Sequence, residues 1–186
     1  MRKNFGPKPF LDPQLVMVIA SYDKDGTPDA MNAAWGGIAG GDKIFLCLSS
    51  NHKTVENILE RKAFTVSVAD EAHLVEADYV GLVSGNDVPD KLERSGLHVT
   101  RSEFVDAPVI DELPLVLECR LVSYDPDSHF MVGEIVNAGA DEAILDDTGM
   151  IDPAKLKPLT FDPANGTYWN LVEKVGKAFS DGSKLK

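Results

Sequence analysis

Hydrophobic and polar positions alternate in short runs through the first half of the chain, which predicts strands rather than helices. Leu15 to Tyr22 is a mostly apolar run rich in Val and Ile and too short for a typical helix. Asp25-Gly26 follows it, a strong hairpin signal. The returning segment, Thr27 to Ile38, ends near Gly36-Gly37. A second turn, Gly40-Gly41-Asp42, then leads into a buried strand, Lys43 to Ser49. The expectation is a three-strand meander.

The period then changes. In TVENILERKAF, Val55, Ile58 and Leu59 fall at helical spacing, with Thr54 as the candidate N-cap. Ala63 to Ala69 is a further strand. In HLVEADYVGLVSG, residues Val75, Tyr79, Leu82 and Val83 suit one buried helical face. VPDKLERSGL predicts a helical turn closed by Gly96. Leu115 to Tyr124 and Phe130 to Asn137 are long strands joined by the turn DPDS. In the first of them Leu115, Leu117, Cys119 and Leu121 make an apolar face opposite a mixed one, as a barrel wall requires. The tail DDTGMIDPAKLKPLTFDPANG is loop-rich, and YWNLVEKVGKAF predicts a terminal amphipathic helix.

Composition narrows the function. The 186 residues suit one domain with a core, spanning 1–186. A net charge of −12 without a basic stripe opposes nucleic acid. No apolar run approaches the length of about eighteen residues that spans a membrane. The N-terminal MRKNFGPKPFLDP has no apolar core behind its basic start, so it does not read as a signal peptide. The two cysteines, Cys47 and Cys119, sit in apolar runs and read as buried thiols rather than a disulfide framework. Together these features point to the cytoplasm.

Two stretches carry candidate chemistry. In LSSNHKTVENI, hydroxyls, a lysine and free N–H groups converge where a helix begins, which suits a phosphate monoester. An ordinary polar loop before a capped helix has the same pattern and is the commoner case. In DAMNAAWGGIAG, small residues around Asn32 and Trp35 would let a planar ligand approach the backbone; a Gly-containing edge strand with a packed Trp35 fits equally. The four histidines, His52, His73, His98 and His129, show no metal-ligand spacing. The nucleophile-elbow, Walker and dinucleotide-binding motifs are all absent.

Taken in order, NAAWGG, LSSNHKTVENI, KAFTVSVAD, VSGNDVPDKLERSGL, LPLVLECRLVSYDPDSHFMVGEIV, AILDDTGMIDPAKLKPLTF and YWNLVEKVGKAF resemble the flavin-reductase-like FMN-binding split-barrel family, which includes flavoredoxins. The resemblance runs from about Phe10 to Phe179, and its specificity lies in the shared order and spacing. It implies a mainly β fold with peripheral helices, a split β-barrel that binds FMN at a homodimer interface. By resemblance, Asn32, Ala33, Ala34 and Trp35 line the flavin ring, and Ser49, Ser50, His52, Lys53 and Thr54 hold its phosphate. Ser84, Asn86, Asp87 and Lys91 belong to the segment that closes over the flavin. Many members carry an arginine where this chain has His52 or Asn86. His129 matches a histidine near the flavin's reactive face, although a residue in a hairpin turn is the plain alternative.

The first function this implies is an NAD(P)H:flavin oxidoreductase, with NADH or NADPH as co-substrate. The second is a flavoredoxin-type carrier with a protein redox partner. A split-barrel oxidase of pyridoxal compounds is disfavoured, because the basic residues for its substrate phosphate are not evident.

Overall fold

The computed structural model describes residues 1–171 and 173–185. β1 (Gln14–Leu15) leads into β2 (Met17–Tyr22), whose hairpin to β3 (Pro28–Ala33) forms as expected. The Asp23 carboxylate organises this turn, accepting from the N–H groups of Asp25 at 2.9 Å and Thr27 at 2.8 Å. Gly26 follows with φ +89°, a conformation that L side chains resist.

The meander ends there. β4 (Gly36–Ile38) pairs with β5 (Lys43–Cys47) and not with β3. The seven-stranded sheet runs β3-β2-β6-β9-β10-β5-β4, with β6 at Ala63–Val68, β9 at Leu115–Asp125 and β10 at Phe130–Ala140. β3 and β4 are therefore opposite edges, joined only by Ala34 and Trp35. Six strand spacings of about 4.8 Å would set those edges about 29 Å apart in a flat sheet. Two linking residues reach only about 10 Å. The sheet must roll up.

Rolling explains the unbroken apolar runs. Met17 and Ile19 of β2 pack inside with Ile44, Leu46, Phe64 and Met131, while Val18 and Ala20 pack in a second cluster with Ala77, Val80 and Leu92. α1 (Lys53–Arg61) inserts Val55 and Ile58 into the inner cluster. Its N-cap is His52, not Thr54, and Lys62 ends it in the left-handed region. Thr54 is the second residue of the helix and buried, and its hydroxyl donates to Asp29 rather than capping the helix.

A 3-10 turn at Glu71–His73, begun by the Asp70 carboxylate accepting from His73 N–H, opens α2 (Leu74–Leu82). The helix is where the periodicity puts it, but its buried face differs. Val75 and Leu82 are 72% and 74% exposed, and Ala77 and Val80 are buried instead. The reason is close approach: a Cβ on Gly81 would lie 2.0 Å from Asn32 Oδ1. Ala77 and Val80 face the barrel with Leu74 and Tyr79 packed beside them, and Val75 and Leu82 turn outward.

α3 (Lys91–Ser95) closes on Gly96 as expected. A small ribbon of β7 (Val99–Arg101) and β8 (Pro108–Ile110) follows, without a clear sequence signal. β9 and β10 form the long hairpin, with His129 at φ +61° in its turn. After α4 (Pro153–Leu156), β11 (Leu159–Asp162) and β12 (Thr167–Asn170) join β1 in a three-stranded sheet.

The expected terminal helix is not there: Tyr168 to Asn170 is strand, and residues 171 and 173–177 have no regular structure. Val172 lies outside the described residues. The Asp162 carboxylate accepts from Ala164 N–H at 2.8 Å, Gly166 takes φ +65°, and the turn pairs Phe161 with Tyr168. Aromatic cross-strand pairing outcompetes a helical pattern that began in β-favouring residues.

Candidate functional site

Where the sheet rolls from β3 to β4, a cavity of about 250 Å³ opens. Met31, Asn32, Ala33, Ala34 and Trp35 form one wall, and Cys47, Leu48 and His52 another. Phe161 and Tyr168 of the β11–β12 hairpin close the third side. Asn32 is held by its amide donating to the Ala77 carbonyl at 3.0 Å. The Tyr168 hydroxyl donates to Asp78 at 2.7 Å, tying β12 to α2. Burial first, and then Asp78, push that phenol up to about 12, so it stays protonated at neutral pH.

A second cavity of about 200 Å³ adjoins the first, and Met31 and His52 line both. Its walls are Lys53 and Thr54 at the start of α1, the α2 end from Val80 through Gly85, and Lys91. Among the described residues, no acceptor takes the N–H groups of Lys53 and Thr54. With the positive end of a nine-residue helix behind them, these donors suit an anion.

Lys91 is not a free cation. Its side chain is 3% exposed, and Nζ lies 3.2 Å from Asp29 Oδ1, itself on a side chain 8% exposed. The same ammonium donates to the Val80 and Val83 carbonyls, each at 3.2 Å. The other Asp29 oxygen accepts from Thr54 Oγ1 at 2.5 Å. One buried carboxylate thus joins β3, the first turn of α1 and the start of α3. Lys53 is less committed: among the described residues Glu56 pairs with it at 3.4 Å, and Asp23 bears on it from further off. The His52 imidazole is held below its ordinary range by burial first, then by Lys91 and more weakly by His129, while Asp29 opposes them.

Of the residues singled out in the sequence, Asn32, Ala33, Ala34 and Trp35 line the first cavity, and His52, Lys53, Thr54, Ser84 and Lys91 the second. Ser49, Ser50, Asn86, Asp87 and His129 are in neither wall. Ser49 accepts from His52 N–H through its carbonyl, and Asn86 reaches across to the Asn51 carbonyl at 3.5 Å. His129 is half-buried; its carbonyl accepts from Leu48 N–H, and its Nδ1 is buried without a partner.

Sequence reading missed Met31, Asp29, Phe161 and Tyr168. It also placed Cys47 in the core, whereas Cys47 is exposed on the cavity rim. Strand alternation decides this: Ile44 and Leu46 point inward, so Phe45 and Cys47 point out. Cys119 is buried as expected, and burial raises its thiol to about 12. Among the described residues no cluster of His, Cys, Asp or Glu could hold a metal ion, and no helix is long and apolar enough to cross a membrane.

One cavity offers small residues and strand backbone, and the other offers open N–H donors at a helix start. A family model described as the flavin reductase like domain matches residues 12–163. Flavoredoxin of Desulfovibrio vulgaris (Miyazaki F) is 35% identical and superposes with a TM-score of 0.94, over 98% of this chain and 100% of that one. Flavoredoxin from Methanosarcina acetivorans is 28% identical, with a TM-score of 0.90 and all of both chains covered. An FMN-binding domain of a flavin reductases-like enzyme from Shewanella baltica OS155 shares the fold at 22% identity, with a TM-score of 0.78 over 88% of this chain and 89% of that one.

Proposed function

This chain belongs to the flavin-reductase-like family and has its split-barrel fold, and from that premise we propose that it is an FMN-dependent oxidoreductase. The observation that carries the proposal is the pair of adjoining cavities. One presents small residues, strand backbone and aromatic rings; the other presents helix N–H groups and lysines. Asn32, Ala33, Ala34 and Trp35 take the flavin ring. Lys53, Thr54, Ser84 and the start of α1 take the phosphate, with His52 between them and Lys91 holding the wall. FMN supplies the redox chemistry when bound, and the protein supplies position and electrostatics.

Of the two finer readings, electron transfer with a protein partner comes first. Solved flavoredoxins align along essentially the whole chain, beyond residue 163 where the family model stops. A net charge of −12 suits a basic partner. Reduction by NADH or NADPH is the second reading. It is favoured by His129, whose imidazole is near enough to bear on His52 and keeps an unpartnered nitrogen.

We place the protein in the cytoplasm, where the exposed free thiol of Cys47 is stable. The working unit is a homodimer. Phe45 and Phe130 stack at 5.4 Å on the outward face of β5 and β10, and Trp35 is 43% exposed at the cavity rim, so a second copy has apolar surface to cover.

Single-turnover bleaching of the bound flavin separates the readings. In a carrier, NADH and NADPH bleach slowly with or without His129, while dithionite or a redox protein reduces fast. In a reductase, bleaching is fast, and His129→Ala slows it without weakening FMN. Fast bleaching that survives His129→Ala removes the role given to that histidine.

A further inference from the structure

The charges around the second cavity do not balance a phosphate monoester. Lys53 and Lys91 bring two positive charges to its wall, but Asp29 neutralises Lys91 at 3.2 Å. Thr54, Ser84 and the two open N–H groups are neutral donors, and Glu56 sits outward on Lys53. With His52 neutral, at most one net positive charge meets an anion carrying between about 1.5 and 2 negative charges near pH 7. One titratable group is placed to make up the difference. His52 lines both cavities, makes no side-chain cap to α1, and keeps Nδ1 buried without a partner.

We infer that His52 is a proton-coupled phosphate sensor: a phosphate monoester bound in the second cavity draws a proton onto its imidazole. This rests on the FMN reading and adds to it a pH dependence and a selectivity for the phosphorylated flavin. The groups bearing on His52 from the surrounding elements are Lys91 on α3, Asp29 on β3 and His129 on the β9–β10 turn. Lys53 and Thr54 share its loop and helix, and Cys47 and Tyr168 lie across the first cavity. Without ligand, burial and Lys91 outweigh Asp29 and keep the imidazole neutral. A bound dianion reverses that balance, because an opposite charge at contact distance favours the protonated form.

The sign follows from linkage. A group whose pKa is raised on binding strengthens binding fully below its free-protein pKa, and loses that contribution as pH rises through the bound-state pKa. The phosphate's own second ionisation, near a pKa of about 6, acts the other way, since higher pH gives more dianion. A fall in FMN affinity above neutral pH therefore reports the protein.

The test is titration of the whole protein with FMN and with riboflavin at pH 6.5 and pH 8.5, followed by flavin fluorescence. Alongside it, calorimetry at pH 7.5 in buffers of different ionisation enthalpy counts protons. FMN affinity should fall severalfold between the two pH values, and riboflavin affinity should stay level. The fall requires a bound-state pKa raised by more than about one unit, because pH 6.5 already lies above the imidazole's lowered free-protein pKa. Calorimetry should show net proton uptake with FMN alone. His52→Gln should abolish the pH dependence, its affinity at pH 6.5 no longer exceeding that at pH 8.5, and His52→Arg should bind FMN tightly at both. No proton uptake by the native protein, an equal slope with riboflavin, or a slope that persists in both variants would overturn the inference. FMN that fails to bind at every pH would instead remove the FMN reading, and this inference with it.

Discussion

Lys91→Met should cost about 3–5 kcal/mol of unfolding free energy, the size typical of removing one partner from a buried ion pair. The methionine replaces most of the aliphatic stem, so little packing is lost, but Asp29 is left in a buried site without its cation, hydrogen-bonded to Thr54. The Val80 and Val83 carbonyls lose their donor as well. For a chain of this length the loss corresponds to a fall in Tm of roughly ten degrees, measurable by calorimetry. Asp29→Leu added to Lys91→Met should return part of the stability, because the unpaired carboxylate is then gone. A single variant within 1 kcal/mol of the native protein would show that the pair does not bind these segments together.

Lys53→Ala should act on a different property. Lys53 lines the second cavity and is paired loosely, with the exposed Glu56, so its charge is available to a ligand, as that of Lys91 is not. A charge-assisted hydrogen bond to phosphate contributes about 1.5–3 kcal/mol, which predicts a 10- to 100-fold loss of FMN affinity, to order of magnitude. Riboflavin has no phosphate and should bind the variant and the native protein alike. Equal weakening of both ligands would mean that this loop does not hold the phosphate. The two lysines look alike in sequence, and only their partners assign one to stability and the other to binding.

That contrast shows what the sequence could reveal. Local signals with a single physical cause were legible: the Asp25-Gly26 turn, the helix from the Lys53 region, the Gly96 cap and the β9–β10 hairpin. The family resemblance, too, was legible in the order of its segments. Features that depend on long-range packing were not. Whether β3 and β4 are neighbours or opposite edges depends on the rolling of the whole sheet, which leaves no mark on Ala34 and Trp35. The buried face of α2 follows from how near Gly81 comes to Asn32, so apolar periodicity picked Val75 and Leu82 wrongly. Asp29 looks like a hairpin residue until Lys91, 62 positions on, returns to it. Phe161 and Tyr168 reach the cavity only because β11 and β12 fold back on β1.

The two adjoining cavities are proposed to form one FMN site. The most direct measurement is equilibrium titration of the native protein with FMN and riboflavin near neutral pH, with stoichiometry taken from the flavin absorption spectrum. One FMN per chain should bind, with a perturbed flavin spectrum and an affinity at least tenfold above that for riboflavin, as one charge-assisted phosphate contact requires. Absence of a bound-flavin spectrum at saturating FMN, or equal affinity for the two flavins, would contradict it.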